Sequence, residues 1–109
     1  MDIGIVSMRY AKALIEYAKD TGAEDRVYHE LRMLERSFRK HPDLREALDN
    51  PILKINEKFA LICTAAVGNG EVSREFSRFI TLVLRNRREY YLQYICLTYL
   101  DLYRKLKHI

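Results

Sequence analysis

The sequence predicts an all-α protein, a compact six-helix bundle, and three observations support this. Apolar residues recur at three- and four-residue spacing, with no sustained two-residue alternation of the kind that strands show. Only four glycines and two prolines occur, and they lie where helices would end. The chain has 109 residues, of which 49% are hydrophobic and 31% are charged, as expected for one globular domain. We therefore predict a single helical domain over residues 1–109.

The breaks between periodic segments define the helices in order. Gly22 follows the first helix, Pro42 and Pro51 bracket the short third one, and Gly68 and Gly70 form a turn after the fourth. The predicted helices cover residues 4–20, 24–40, 43–48, 56–67, 72–86 and 88–107. No repeat, low-complexity tract or linker interrupts them.

The first and fifth helices carry wider apolar faces than one core contact needs. The second helix has an ordinary core stripe, formed by Val27, Leu31, Leu34 and Phe38. In the first helix the apolar arc covers about 220°; its members are Val6, Met8, Tyr10, Ala11, Ala13, Leu14, Ile15, Tyr17 and Ala18. In the fifth helix it covers about 200°; its members are Val72, Phe76, Phe79, Ile80, Leu82, Val83 and Leu84. Either both helices are wedged deep among others, or one flank of each faces a partner.

The sixth helix is apolar round most of its circumference and contains five of the eight tyrosines. We interpret it as a central helix with a continuous core edge, and we expect its phenol groups to reach water at their tips. The predicted edge consists of Leu92, Ile95, Tyr99, Leu102 and Leu106.

No catalytic residue, metal site or cofactor is predicted. The three histidines lie far apart, in no spacing that suits a metal. The glycine turn at residues 68–70 lacks the Lys-Ser/Thr of a phosphate-binding loop. The carboxylates sit among lysines and arginines on solvated faces, where nothing would raise a pKa for acid catalysis. Cys63 and Cys96 have no CxxC spacing, and we predict reduced thiols in the core.

The charge balance favours solubility over any one class of partner. The net charge is +4, from 19 basic and 15 acidic residues, and the two signs are interspersed. Two basic clusters, RMLERSFRK in the second helix and RNRR at residues 85–88, could contact phosphates, although such faces are usually just solvated. No apolar run approaches the 18 or so residues of a membrane span, and no secretory signal is evident. We expect a cytosolic chain with no direct membrane insertion.

Several segments together resemble the delta subunit of bacterial ATP synthase, the family that includes the mitochondrial oligomycin-sensitivity-conferring protein. They are RYAKALIEYA, NPILKINEKFALI and FSRFITLVLRNRREYYLQYICLTYLDLY, which cover nearly the whole chain in register. The resemblance implies a six-helix N-terminal domain and a structural, non-enzymatic role. Arg87 departs from the pattern, because many relatives have glycine there. The family's C-terminal domain, which binds the b subunit, is expected to be absent from this chain.

What the resemblance implies is a peripheral-stalk component at the cytoplasmic face of the bacterial inner membrane. Such domains receive the N-terminal amphipathic helix of the alpha subunit in a groove between the first and fifth helices. The RYAKAL match places Tyr10 and Ala13 on the partner side, and the position of the Asn86–Arg88 turn adds Leu82. Helical geometry adds Val6, Tyr17 and Phe79 to the partner-binding residues. Ala11, Leu14, Ile15 and Ala18 are expected to face the core.

An alternative is a small helical RNA-binding module of the transcription-antitermination type, which is also all-α and mildly basic. Such a module needs one basic face with few carboxylates. Here acidic residues interrupt nearly every basic run, so we expect no nucleic acid partner.

Overall fold

A computed structural model describes residues 2–108, and within them it confirms the all-α fold with six α-helices and no strand. A 3-10 turn, Glu89–Tyr91, precedes the last helix. The helices are α1 (Ile3–Thr21), α2 (Glu24–Lys40), α3 (Pro42–Asp49), α4 (Ile55–Val67), α5 (Arg74–Arg85) and α6 (Leu92–Lys107).

Side-chain caps explain where several helices begin. The Asp2 carboxylate accepts a hydrogen bond of 2.8 Å from the Gly4 amide, so α1 starts at Ile3. The Ser73 hydroxyl accepts one of 3.0 Å from the Phe76 amide, which makes Ser73 the N-cap of α5. Residues 72 and 73 therefore precede this helix, whereas the periodicity placed both of them inside it. The predicted sixth helix is also shortened, because its first residues form the 3-10 turn.

The core lies around α6, which packs against α1 and α2, while α4 packs against α2 and α5. The predicted stripe of α2 is confirmed, since Val27, Leu31, Leu34 and Phe38 are all buried. The predicted edge of α6 is wrong at its end, because Leu106 is exposed and Leu102 only half-buried. The buried face of α6 continues instead through Cys96, Leu100 and Tyr103.

Two of the phenol groups of α6 form hydrogen bonds inside the fold. Tyr99 donates a hydrogen bond of 3.0 Å to the Glu24 carbonyl, and Tyr103 donates one of 2.6 Å to the Asp25 carboxylate. This hydrogen bond is the main reason that the pKa of Tyr103 rises to about 12. Both phenols therefore tie α6 to the start of α2, so the expectation that the tyrosine tips reach water is wrong for Tyr99 and Tyr103, whereas Tyr94 is exposed as predicted.

The two cysteines are free thiols, as predicted. Cys96 is fully buried and Cys63 is partly buried. Burial raises the pKa of both thiols, which keeps them protonated and unreactive at neutral pH.

Two buried carboxylates fix the ends of α5. At its start, Glu30 of α2 accepts hydrogen bonds from both the amide and the hydroxyl of Ser73. Beyond its end, Glu89 forms an ion pair of 2.7 Å with Lys58 of α4. Since the side chains of this pair are only 13% and 9% exposed, the contact firmly links α4 to the connection between α5 and α6.

Candidate functional site: a groove between α1 and α5

One flank of α1 is buried against the bundle and the other borders a groove. Ala11, Leu14, Ile15 and Ala18 are buried, as expected for the inward flank. On the other flank Ala13 is exposed, while Tyr10 and Tyr17 are half-buried. The wide apolar arc of α1 is thus only partly used by the core.

Burial accounts for most of the apolar arc of α5. Five of its residues are buried, namely Phe76, Phe79, Ile80, Val83 and Leu84. Leu82 is the exception, with 47% of its surface exposed, and it faces the same groove as Ala13. Of the two interpretations left open by the sequence, deep wedging therefore holds for most of α5, and an exposed flank remains at Leu82.

The groove contains a pocket of about 290 Å³ between the first half of α1 and the end of α5. Four of the six predicted partner-binding residues line it: Val6, Tyr10, Ala13 and Leu82. Its remaining lining residues are Arg9, Asn86 and Arg88. An apolar floor with a small residue at one side and polar groups at the rim suits the side chain of an approaching helix.

Two predicted residues contribute differently from the others. Val6 and Phe79 are only 4% and 5% exposed, so Val6 forms the floor of the pocket and Phe79 lies behind its wall. The Phe79 ring packs edge-on against Tyr10, with centroids 6.2 Å apart at 72°, and this contact holds the Tyr10 ring in place.

Hydrogen bonds tie both tyrosines of α1 to α5. The Asn86 amide nitrogen donates to the Tyr10 hydroxyl over 2.9 Å. Further along the groove, the Arg78 guanidinium donates to the Tyr17 hydroxyl over 3.3 Å. These bonds span the gap between the helices, so they set its width and leave Ala13 open between two rigid rings.

The turn that follows α5 brings Arg88 to the pocket. The Arg88 amide donates to the Val83 carbonyl and the Arg87 amide to the Leu84 carbonyl, which is the hydrogen-bond pattern of a Schellman motif. Such a motif needs a left-handed residue, and Arg87 occupies that position with φ of 55°. This explains why glycine would suit position 87, where the sequence departs from the family pattern.

We expect Arg87→Gly to raise the free energy of unfolding by about 0.5 to 1 kcal/mol, because glycine adopts a positive φ without steric strain. Urea denaturation followed by circular dichroism measures this. Arg85→Gly is the matched control. It should lower stability, by at most about 1 kcal/mol, since residue 85 is the last residue of the helix and gains nothing from a residue that favours positive φ. Destabilisation by both changes would show that the left-handed residue is not strained.

Sequence reasoning missed three residues of the pocket. Arg9 was not among the predicted partner-binding residues, and Asn86 and Arg88 were considered only as part of a turn and a basic cluster. Arg9 directly precedes Tyr10, and the turn follows Leu82 by one helical turn, so their proximity in sequence to predicted groove residues was the available signal. What the sequence could not show was that the Schellman turn folds Arg88 back towards α1.

The rest of residues 2–108 contains a second cavity, but no metal-binding cluster and no helix that could span a membrane. A larger cavity of about 830 Å³ lies among the α3–α4 loop, α4 and the start of the 3-10 turn, and several of its lining residues belong to the NPILK segment. Within residues 2–108, no cluster of three or more histidine, cysteine or acidic side chains is arranged to hold a metal ion. None of the helices described for residues 2–108 has the length and hydropathy needed to span a bilayer.

The family model and the relatives that match this chain all describe the same protein family. The family model described as ATP synthase delta (OSCP) subunit matches residues 6–109. The chain is 69% identical to the ATP synthase subunit delta of Bacteroides thetaiotaomicron and 62% identical to that of Bacteroides fragilis, each over 109 residues. These alignments cover 100% of this chain and 59% of each relative. The subunit delta of Paramagnetospirillum magneticum is 35% identical over 98 residues, which are 90% of this chain and 53% of that relative. The chain therefore spans roughly three fifths of the length of its nearer relatives.

Proposed function

Because this chain belongs to the ATP synthase delta (OSCP) subunit family, we propose that it is a non-catalytic part of a bacterial proton-translocating ATP synthase. In this proposal it belongs to the peripheral stalk and binds the N-terminal amphipathic helix of the alpha subunit in the groove between α1 and α5. The contact links the catalytic head to the stalk, which resists the torque of the rotor. The complex places the chain at the cytoplasmic face of the bacterial inner membrane, held there by its partners.

The observation that carries this proposal is a largely apolar pocket beside two tyrosines whose hydroxyls are hydrogen-bonded to Arg78 and Asn86. Ala13 and Leu82 are exposed although both belong to apolar arcs, and no side chain of residues 2–108 covers them. An amphipathic helix inserts apolar side chains at three- and four-residue spacing into such a groove. The tyrosine rings provide rigid contact area at low entropic cost, because each loses few rotamers on binding.

Contact with the b subunit belongs to a different part of the protein in this proposal. The chain covers 59% of its nearer relatives, and we assign the b contact to the family's C-terminal domain, outside residues 1–109. Within residues 2–108 the groove is thus the surface assigned to the alpha subunit.

The RNA-binding alternative has weaker support. Family membership argues against it, and the basic cluster of α2 is partly neutralised, since Arg39 pairs with Glu35 over 2.8 Å. Neither observation provides the uniform basic face that such a module needs.

Titration with an alpha-subunit peptide tests the proposal. A peptide of about 24 N-terminal residues is long enough to form a helix on binding. We expect NMR shifts of the ¹⁵N-labelled chain to cluster on Tyr10, Ala13, Tyr17, Phe79 and Leu82. A scrambled peptide of the same composition is the control. An unchanged spectrum with the native peptide would refute the proposal, and shifts that cluster on α2 or α4 would refute the groove as its site.

A further inference from the structure

The pocket end of the groove carries two arginines without an acidic partner. Arg9 and Arg88 both line the pocket, and none of the ion pairs formed within residues 2–108 includes either one. The nearest acidic residue in sequence to Arg88 is Glu89, and that carboxylate is already paired with Lys58. Two positive charges thus flank one apolar cavity without internal neutralisation.

The surroundings of Arg88 favour a restrained guanidinium group, whereas Arg9 is an exposed residue. The Arg88 guanidinium lies 5.9 Å from the centroid of the Tyr91 ring, a cation–π distance that restrains it. Arg9 lies in the first half of α1 and lines the same pocket as Tyr10 and Arg88. A restrained guanidinium loses less conformational entropy when it binds a planar anion, so the pair is suited to a carboxylate.

The other end of the groove is electrostatically different. There the Arg78 guanidinium donates to the Tyr17 hydroxyl, and Arg74 lies 3.6 Å from the Glu75 carboxylate. At that end Arg74 therefore has a carboxylate beside it and Arg78 has a hydrogen-bond acceptor, whereas neither Arg9 nor Arg88 has an ion-pair partner within residues 2–108. This asymmetry distinguishes one end of a bound helix from the other.

We propose that Arg9 and Arg88 recognise a carboxylate on the partner helix, one helical turn from the apolar side chain that fills the pocket. Side chains three or four residues apart project from the same face of a helix, so one face of the partner would present both groups. The carboxylate offsets part of the repulsion between the two like charges and sets the register of the helix in the groove. This inference rests on the proposed function, and it adds the chemistry that selects the partner.

Calorimetry with the same alpha-subunit peptide tests it, using Arg9→Gln, Arg88→Gln and the double variant at about 50 and 300 mM salt. We expect the double variant to bind about tenfold more weakly at low salt, with a smaller difference at high salt, because docked charge pairs are screened. Arg36→Gln is the matched control. It removes the same charge from an exposed position on α2, and Kd should stay within about twofold of the unmodified chain. Thermal melting of each variant shows that it is folded.

A second arm replaces each acidic residue of the peptide with its amide. One replacement should weaken binding to the unmodified chain and have little further effect on the double variant, as expected for groups that contact each other. Retention of full affinity by the double variant, or independent effects of all peptide and chain changes, would overturn the carboxylate assignment and leave the groove proposal intact. Failure of the unmodified chain to bind the peptide would instead refute the proposed function, and this inference with it.

Discussion

Ala13→Arg is expected to abolish binding of the alpha-subunit helix, with a loss of about 100-fold or more in affinity. Ala13 is exposed on the groove side of α1 and lines the pocket together with Leu82. An arginine side chain here fills space that the alpha-subunit helix needs. Displacing either the arginine or the helix costs several times the thermal energy. Stability should fall by about 1 kcal/mol or less, because the position is at the surface. Calorimetry with the peptide and thermal melting measure the two effects separately.

Two further variants isolate the cause of the expected loss. Ala13→Gln adds a long side chain without charge, and a comparable loss of binding would identify steric blocking as the cause. Ala60→Arg makes the same change at an exposed position of α4, away from the pocket, and it should leave affinity unchanged. If Ala13→Arg unfolds the chain, Ala13 belongs to the core; if it folds and binds normally, the groove is not the binding site.

Lys58→Met is expected to lower the free energy of unfolding by about 3 kcal/mol, because it leaves the Glu89 carboxylate buried without its cation. The ion pair spans 2.7 Å and both side chains are nearly inaccessible. For a domain of this size the melting temperature should fall by about 10 °C or more. Urea denaturation provides the free energy, and calorimetry provides the melting temperature.

The controls for this change use a double variant and an exposed ion pair. Lys58→Met combined with Glu89→Leu should recover most of the lost stability, since an apolar pair needs no charge compensation. Lys105→Met breaks the exposed ion pair between Lys105 and Asp101, whose side chains are 74% and 61% exposed, respectively. This change should lower the free energy of unfolding by less than about 1 kcal/mol. Equal losses for Lys58→Met and Lys105→Met would show that burial of the first pair has no energetic consequence.

Most of the fold followed from local patterns, whereas the failures involve contacts between residues that are far apart in the sequence. The helices were predicted because their spacing, glycines and prolines act within a few residues. Residues 72 and 73 were placed wrongly inside the fifth helix because Ser73 acts as its N-cap, bonded to Glu30 some 43 positions away in sequence. The end of α6 was wrong because periodicity does not show where a helix leaves its neighbours, and Leu106 extends beyond them.

The candidate site was predicted in part. Tyr10, Ala13 and Leu82 were selected by resemblance to the family, and the structure places them around one pocket with Val6. The burial of Phe79 was not predictable from a wide apolar arc, since core and partner-facing residues look alike in a sequence. Arg9 and Arg88 were missed because a charged residue on a helix is usually solvated.

The sequence by itself determined the helical class, the order of the helices and the surplus of apolar surface on α1, because these depend on residue type and spacing along one element. The tertiary structure decided which part of that surplus stays open. Packing against α6 and α2 buries the inward flank of α1, whereas the Schellman turn at Arg87 and the Tyr10–Asn86 hydrogen bond leave a gap beside Ala13. Whether an apolar residue is covered depends on neighbours far away in the chain, and only the folded arrangement of the helices brings those neighbours together.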